Sequence, residues 1–168
     1  MGIGRTALVV VLAMLTLLAP AGQIESAGQQ GLALLTPQEA GQLRLAEEDW
    51  RPGPRFRAPS RGPRVVVQQP PIKDTGDGPI IEAVPPVNFV ISFEQNRSPV
   101  DMDSLEVKAK KGLISMRLTA RLKPYIQGAS LRAEGVAIPE GRFLIQIEIA
   151  DTDGARTIET YRLQVTRP

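Results

Sequence analysis

Three pairs of acids stand close together in the chain: Asp74 and Asp77, Asp101 and Asp103, and Asp151 and Asp153. Clustered oxygen ligands on loops are what a hard cation such as calcium requires. Asp151-Thr152-Asp153-Gly154 opens like an EF-hand loop, but the twelfth position counted from Asp151 is Arg162 and not glutamate, so that motif fails. A looser site shared by two loops remains, set against plain turn capping, in which Asp accepts from its own backbone. Paired carboxylates also serve glycoside hydrolysis, yet no spacing here gathers the acids on one cleft. The chain has no His and no Cys. The commonest general base, the commonest zinc ligand and the thiolate nucleophile are thereby excluded. A Ser or Thr nucleophile would need a lysine as its base, and Lys73, Lys108, Lys110, Lys111 and Lys123 all read as solvated strand ends. The expectation is a protein that is not an enzyme and that holds no cofactor and no metal.

The other chemistry on offer is recognition. Trp50 is followed by RPGPRFRAPSRGPR, residues 51–64, with five Arg, four Pro and no acid. Prolines block helix and sheet and favour an extended spacer, which at about 3.1 Å per residue reaches roughly 40 Å. Such a stretch is either a solvated tether or a contact for anionic envelope polymers and lipid head groups, through Arg forks on phosphate or carboxylate. The candidate partner-binding residues are Trp50, Arg51, Arg55, Phe56, Arg57 and Arg61. Phe56 is the single aromatic of the linker and gives no stacking platform, and the net charge is only +2, so nucleic acid is not expected.

These residues hang on an N-terminal arm with several segments. Residues 1–21 have the pattern of a signal peptide: Arg5, an uncharged run from Ala7 to Ala19, and Ala19-Pro20-Ala21 as cleavage site. The run is short for a membrane span, so no integral span is expected after cleavage. Residues 22–35 read as disordered, being polar and Gly-rich over Ile24 to Leu32. Thr36, Pro37 and Glu39 form a capping box, and Ala40, Leu43, Ala46 and Trp50 follow at helical spacing, which predicts a short helix over residues 36–50. Gly41 and the acids Glu47, Glu48 and Asp49 weaken it. A helix of this length needs a surface to dock on. Either it packs on its own sandwich or it offers Trp50 to a partner.

Residues 65–168 read as one all-β unit. Phe143, Ile145, Ile147 and Ile149 alternate, as do Tyr161, Leu163 and Val165, around the turn Asp151-Thr152-Asp153-Gly154. This is a β-hairpin with one apolar face. Val87, Phe89, Ile91 and Phe93 alternate in another strand, and Val65-Val66-Val67, Ile80-Ile81 and Leu105 with Val107 mark more. Glu94 to Asp103 reads as a polar loop. Leu113 to Ile126 suggests a strand and then a helical turn near Pro124. Leu131 to Ile138 suggests a strand with a bulge at Gly135. About seven short strands with regular turns predict two sheets packed face to face. Phe89, Phe93, Phe143 and Tyr161 fall on inward faces, which leaves Trp50 and Tyr125 as aromatics for a glycan.

Ser98 to Val107, SPVDMDSLEV, and Pro139 to Gly154, PEGRFLIQIEIADTDG, carry a family pattern. Over roughly residues 85–166 the chain resembles bacterial Ig-like modules of exported proteins, which show a stretch of the form vD..SL.V and later p.G.y.l.i...D..G before the last hairpin. The resemblance implies a single Ig-like β-sandwich with no catalytic residues, in a periplasmic or secreted protein. Its expected work is protein–protein interaction or scaffolding with envelope proteins. Binding a glycan or another anionic envelope polymer is the alternative.

Overall fold

The computed structural model describes residues 31–50, 60–75 and 78–167. Residues 1–21, expected as a signal peptide, residues 22–30 and linker residues 51–59 lie outside them. Among the described residues ten strands form: β1 (Arg64–Gln69), β2 (Ile72–Thr75), β3 (Gly78–Ala83), β4 (Val87–Glu94), β5 (Val100–Lys111), β6 (Ile114–Arg117), β7 (Ile126–Gln127), β8 (Ser130–Val136), β9 (Gly141–Asp151) and β10 (Arg156–Val165). Two helices accompany them, α1 (Pro37–Leu43) and α2 (Thr119–Leu122), the latter continued by a 3-10 turn at Lys123–Tyr125. The count exceeds the expected seven because β2 and β7 have four and two residues, too few to show a period.

The strands make a four-stranded sheet in the order β1-β4-β8-β7 and a six-stranded sheet in the order β2-β3-β10-β9-β5-β6. All pairings are antiparallel except β3 with β10. The four-stranded sheet and the β5-β9-β10 unit reproduce the ABED and CFG sheets of an Ig sandwich, with β2, β3 and β6 added to the second. The expected Ig-like sandwich is thus present in its strand order. No Cys bridges the sheets. Phe89 and Ile91 of β4 and Ile147 of β9 are buried in one shared core instead.

The long hairpin forms in the expected register, with Tyr161 opposite Ile145 and Leu163 opposite Phe143. Asp151 Oδ1 accepts from Asp153 N at 3.1 Å and Ala155 N at 2.8 Å, which closes its turn. The bulge at Gly135 also forms. Two residues stand against Asn88 there, Gly135 has φ of +64°, and its N–H donates to Asn88 Oδ1 at 2.9 Å.

Four expectations are corrected. Glu94 to Asp103 is not all loop, because β5 starts at Val100. Its polar residues lie in a bulge against β9, where Ser104 Oγ accepts from Ala150 N at 2.8 Å. The helix does not run over 36–50. It stops at Leu43, because Arg44 turns extended and Leu45 N donates to Arg142 O at 2.9 Å. The stretch 22–35 is ordered at its end: Ala33 bridges Ala137, and Leu34 and Leu35 are buried. The linker of 51–64 is likewise packed at its end, where Gly62 and Pro63 are buried and Thr157 Oγ1 donates to Pro63 O at 2.6 Å. With Leu34, Leu35, Ala40 and Leu43 inside the main core, the arm is part of the sandwich, not an appendage before residue 65.

Candidate functional site

Trp50 is placed by the turn that follows Leu45. Its ring meets two guanidinium groups, Arg142 and Arg162, each 5.4 Å from the centroid. Arg162 comes from β10 and is buried although charged. It donates to Trp50 O at 3.2 Å, to Thr75 Oγ1 at 3.2 Å and to Gly78 O at 3.3 Å. A buried cation needs such acceptors. Arg142 also pairs with Glu47. Trp50 therefore fastens the arm to the six-stranded sheet. Arg61 is exposed, and its carbonyl accepts from Asn96 at 3.3 Å. The two are held by different stretches of the last strand, Trp50 by Arg162, and the Ser60–Pro63 stretch by Arg156 and Thr157. Arg51, Arg55, Phe56 and Arg57 lie outside the described residues.

The helix end of the arm is fixed by a second polar clamp. Thr36 and Glu39 complete the capping box. Glu39 also takes both arms of Arg121, at 2.8 and 2.6 Å, while Arg121 Nη1 reaches Leu34 O at 2.7 Å. The bonds from Arg121 first, and the Thr36 N–H second, hold the Glu39 carboxyl down at about 2. Since Arg121 stands on α2, the clamp locks α1 to α2.

Of the aspartate pairs, Asp77 lies outside the described residues, and Asp101/Asp103 and Asp151/Asp153 are engaged locally. Asp151 is buried and spent on its turn, Asp153 accepts from Ser98 Oγ, and Asp101 accepts from Asp103 N at 3.1 Å. Among the described residues no three potential ligands gather for a metal ion, so the shared-loop calcium arrangement does not form there. Tyr125 is half-buried against the core, so neither it nor Trp50 offers an open platform to a glycan.

Two shallow clefts open where β1 and β2 leave the sheets. One, of about 300 Å³, is lined by Ser60, Arg64, Glu94, Asn96 and Glu159 among others. The other, of about 420 Å³, is lined by Arg64, Ile72, Asp74, Pro79, Glu159 and Tyr161. Both carry mixed charge, and the Ser60 and Thr157 hydroxyls are committed to each other and to backbone carbonyls. Between the sheets lies an apolar cavity of about 40 Å³, too small for any ligand beyond a methyl-sized group.

The free surface lies at the other side of the six-stranded sheet. Among the described residues β6 ends the sheet, and no strand of theirs lies on the outer side of its backbone. Ile114 is 54% exposed, and Leu113, in the turn after Gly112, is wholly exposed. Below them Glu106 takes Lys108 Nζ at 2.6 Å and Arg117 Nε at 2.6 Å, the latter poorly aligned for a hydrogen bond. The Lys108 bond foremost lowers the Glu106 carboxyl, against the opposing effect of burial. Among the described residues no carboxylate pairs with Lys110 or Lys111. This surface was missed in the sequence, where Lys110-Lys111-Gly112 reads as an exit turn. The signal was Leu113 directly after the glycine, an apolar side chain where a turn normally carries polar ones.

No family model matches the chain, and no curated protein sequence matches it. Among solved structures, CopC from Methylosinus trichosporium OB3b is similar at a TM-score of 0.38 and 12% identity, over 62% of this chain and 94% of that one. Murine CRIg gives 0.35 and 9%, over 62% and 98%. The extracellular domain of the hybrid two-component system BT3049 from B. thetaiotaomicron gives 0.31 and 13%, over 64% and 16%. All three superpose loosely, and none gives this chain a function.

Proposed function

We propose that the chain is a non-catalytic exported protein of the cell envelope that serves as a protein–protein interaction or scaffolding module, with the β6 edge as its contact. The carrying observation is that edge: Ile114–Arg117 closes the six-stranded sheet on one side only, with exposed side chains at Ile114, Ser115 and Arg117. An open edge accepts a strand from a partner, the main chain supplying affinity and alternate side chains supplying selectivity. Export is supported by Arg5, the apolar run Ala7–Ala19 and the Ala19-Pro20-Ala21 site. The resemblance to Ig-like modules of exported proteins points the same way. With Trp50 and Tyr125 engaged by the fold, protein docking is favoured over a glycan ligand.

The test is a photo-crosslinking side chain placed at Ser115 in the full chain, produced in cells. A discrete adduct with an envelope protein at Ser115, and none at exposed Arg132 on the other sheet, is the expected result. Adducts at neither position, or equally at both, would remove the β6 edge from the account.

A further inference from the structure

We infer that the tip of the β5–β6 hairpin, Lys110 to Ile114, docks on an anionic phospholipid surface. Leu113 is wholly exposed among the described residues, and Ile114 is half exposed beside it. Lys110 and Lys111 flank them with no carboxylate to neutralise them among the described residues. The tip projects as a turn, so it is convex. A lipid interface takes a convex apolar tip without a matching socket, and the lysines then lie at head-group level.

The end of the sandwich that carries the tip supplies two further observations. Lys110 is opposite Leu144 near the start of β9, and Val165 is opposite both Gly141 and Ala83. The tip, the start of β9 and the end of β3 therefore share one end. Val84, 50% exposed, follows β3 there. Four strand steps separate β3 from β6, or about 19 Å at ~4.8 Å each, which makes two apolar points of contact. The described chain also enters at this end, with Ala33 bridging Ala137 just after β8. Of the acids near this end, Glu140 is paired with Arg167 at 2.7 Å, Glu47 with Arg142 and Glu82 with Lys73. The surface met by a membrane is thus apolar at two points and basic around the larger one.

The chain has no Cys, so one introduced thiol can carry an environment-sensitive fluorophore. Full chain with Leu113→Cys, labelled and mixed with vesicles of phosphatidylglycerol and phosphatidylcholine, should show a blue-shifted, brighter emission. Thr152→Cys, exposed at the opposite end, should not change. Since each lysine near an anionic surface is worth about fivefold in binding, Lys110→Glu with Lys111→Glu should weaken the response at least about twentyfold. Raised salt should weaken it as well. A label at position 113 that stays in water, even when the chain is carried on vesicles by its first thirty residues, overturns the inference. So does equal insertion into pure phosphatidylcholine that is indifferent to the two lysines. A label that responds only to added envelope protein would assign the tip to a protein socket and overturn it too.

Discussion

At the scale of single residues, most of the chain's charged and aromatic side chains turn out to be fasteners. Glu39 is the clearest. Its carboxyl, at about 2 in the fold against an ordinary 4.5, favours the folded state only while ionised. That stabilisation is complete above pH ~4.5 and is lost as pH falls towards 2. The pair is a fifth to a third exposed, so its worth is about 1–2 kcal/mol once solvent screening is counted. Glu106, also lowered, acts in the same direction. Urea midpoints measured from pH 7 to pH 3 should fall for the native chain and fall less steeply for Glu39→Gln, which starts lower. Trp50 is the second fastener. Trp50→Ala removes both guanidinium stacks and should cost about 1–2 kcal/mol in the same assay. A Trp50→Ala chain of native stability would mean that the arm is held by its leucines and the Glu39–Arg121 clamp. The capping box at Thr36 and Glu39 was visible in the sequence because it is local. The Arg121 partner, 82 residues away, was not. Nor was the stacking of Trp50, since nothing local distinguishes a ring bound to its own sheet from one offered to a partner.

At the scale of elements, alternation was decisive wherever one face of a strand is buried and the other wet. β4 follows it residue by residue, and the β9–β10 hairpin follows it except where Ala150, Asp151 and Arg162 are buried as well and Ile145 is only half-buried. It failed at β5, where the irregular register against β9 lets polar residues sit inside a strand. It failed also at the end of α1, where one backbone bond from Leu45 to Arg142 outweighed helical spacing that extended to Trp50. Two predictions belong here. Gly41 lies inside α1 with open space where a Cβ would go, so Gly41→Ala should stabilise by up to about 1 kcal/mol. Leu43 on the same helix is wholly buried, and Leu43→Ala should cost about 2–5 kcal/mol. Thermal unfolding of the two variants should therefore move in opposite directions. If Leu43→Ala leaves the melting temperature unchanged, α1 is not part of the cooperative unit.

At the scale of the whole molecule, the two-layer architecture was legible because the hairpin's apolar face demands a second sheet. How the first strand is shared between the layers was not. β1 lies in one sheet and β3 in the other, and both read as short β-branched or apolar runs in the sequence. The parallel pairing of β3 with β10 carries no local mark at all. The packing between the layers leaves the 40 Å³ apolar cavity, lined by Val107 among others. At about 24 cal/mol per Å³, filling it is worth up to about 1 kcal/mol. Val107→Ile should raise the urea midpoint by a corresponding step, and a drop would show that the cavity cannot accept the added methyl without strain.

The last strand is also the one on which the others depend. Arg162 holds Trp50 across 112 residues, Thr157 holds Pro63 across 94, and the β2–β3 pair joins the rest of its sheet through β10. Such distant closures are slow to form and leave little to settle early. During synthesis β1, β4, β7 and β8 can find one another early, whereas the β2–β3 pair and the arm at Trp50 have no anchor until Arg156–Val165 has emerged. Those parts of the chain stay threadable until the last hairpin closes.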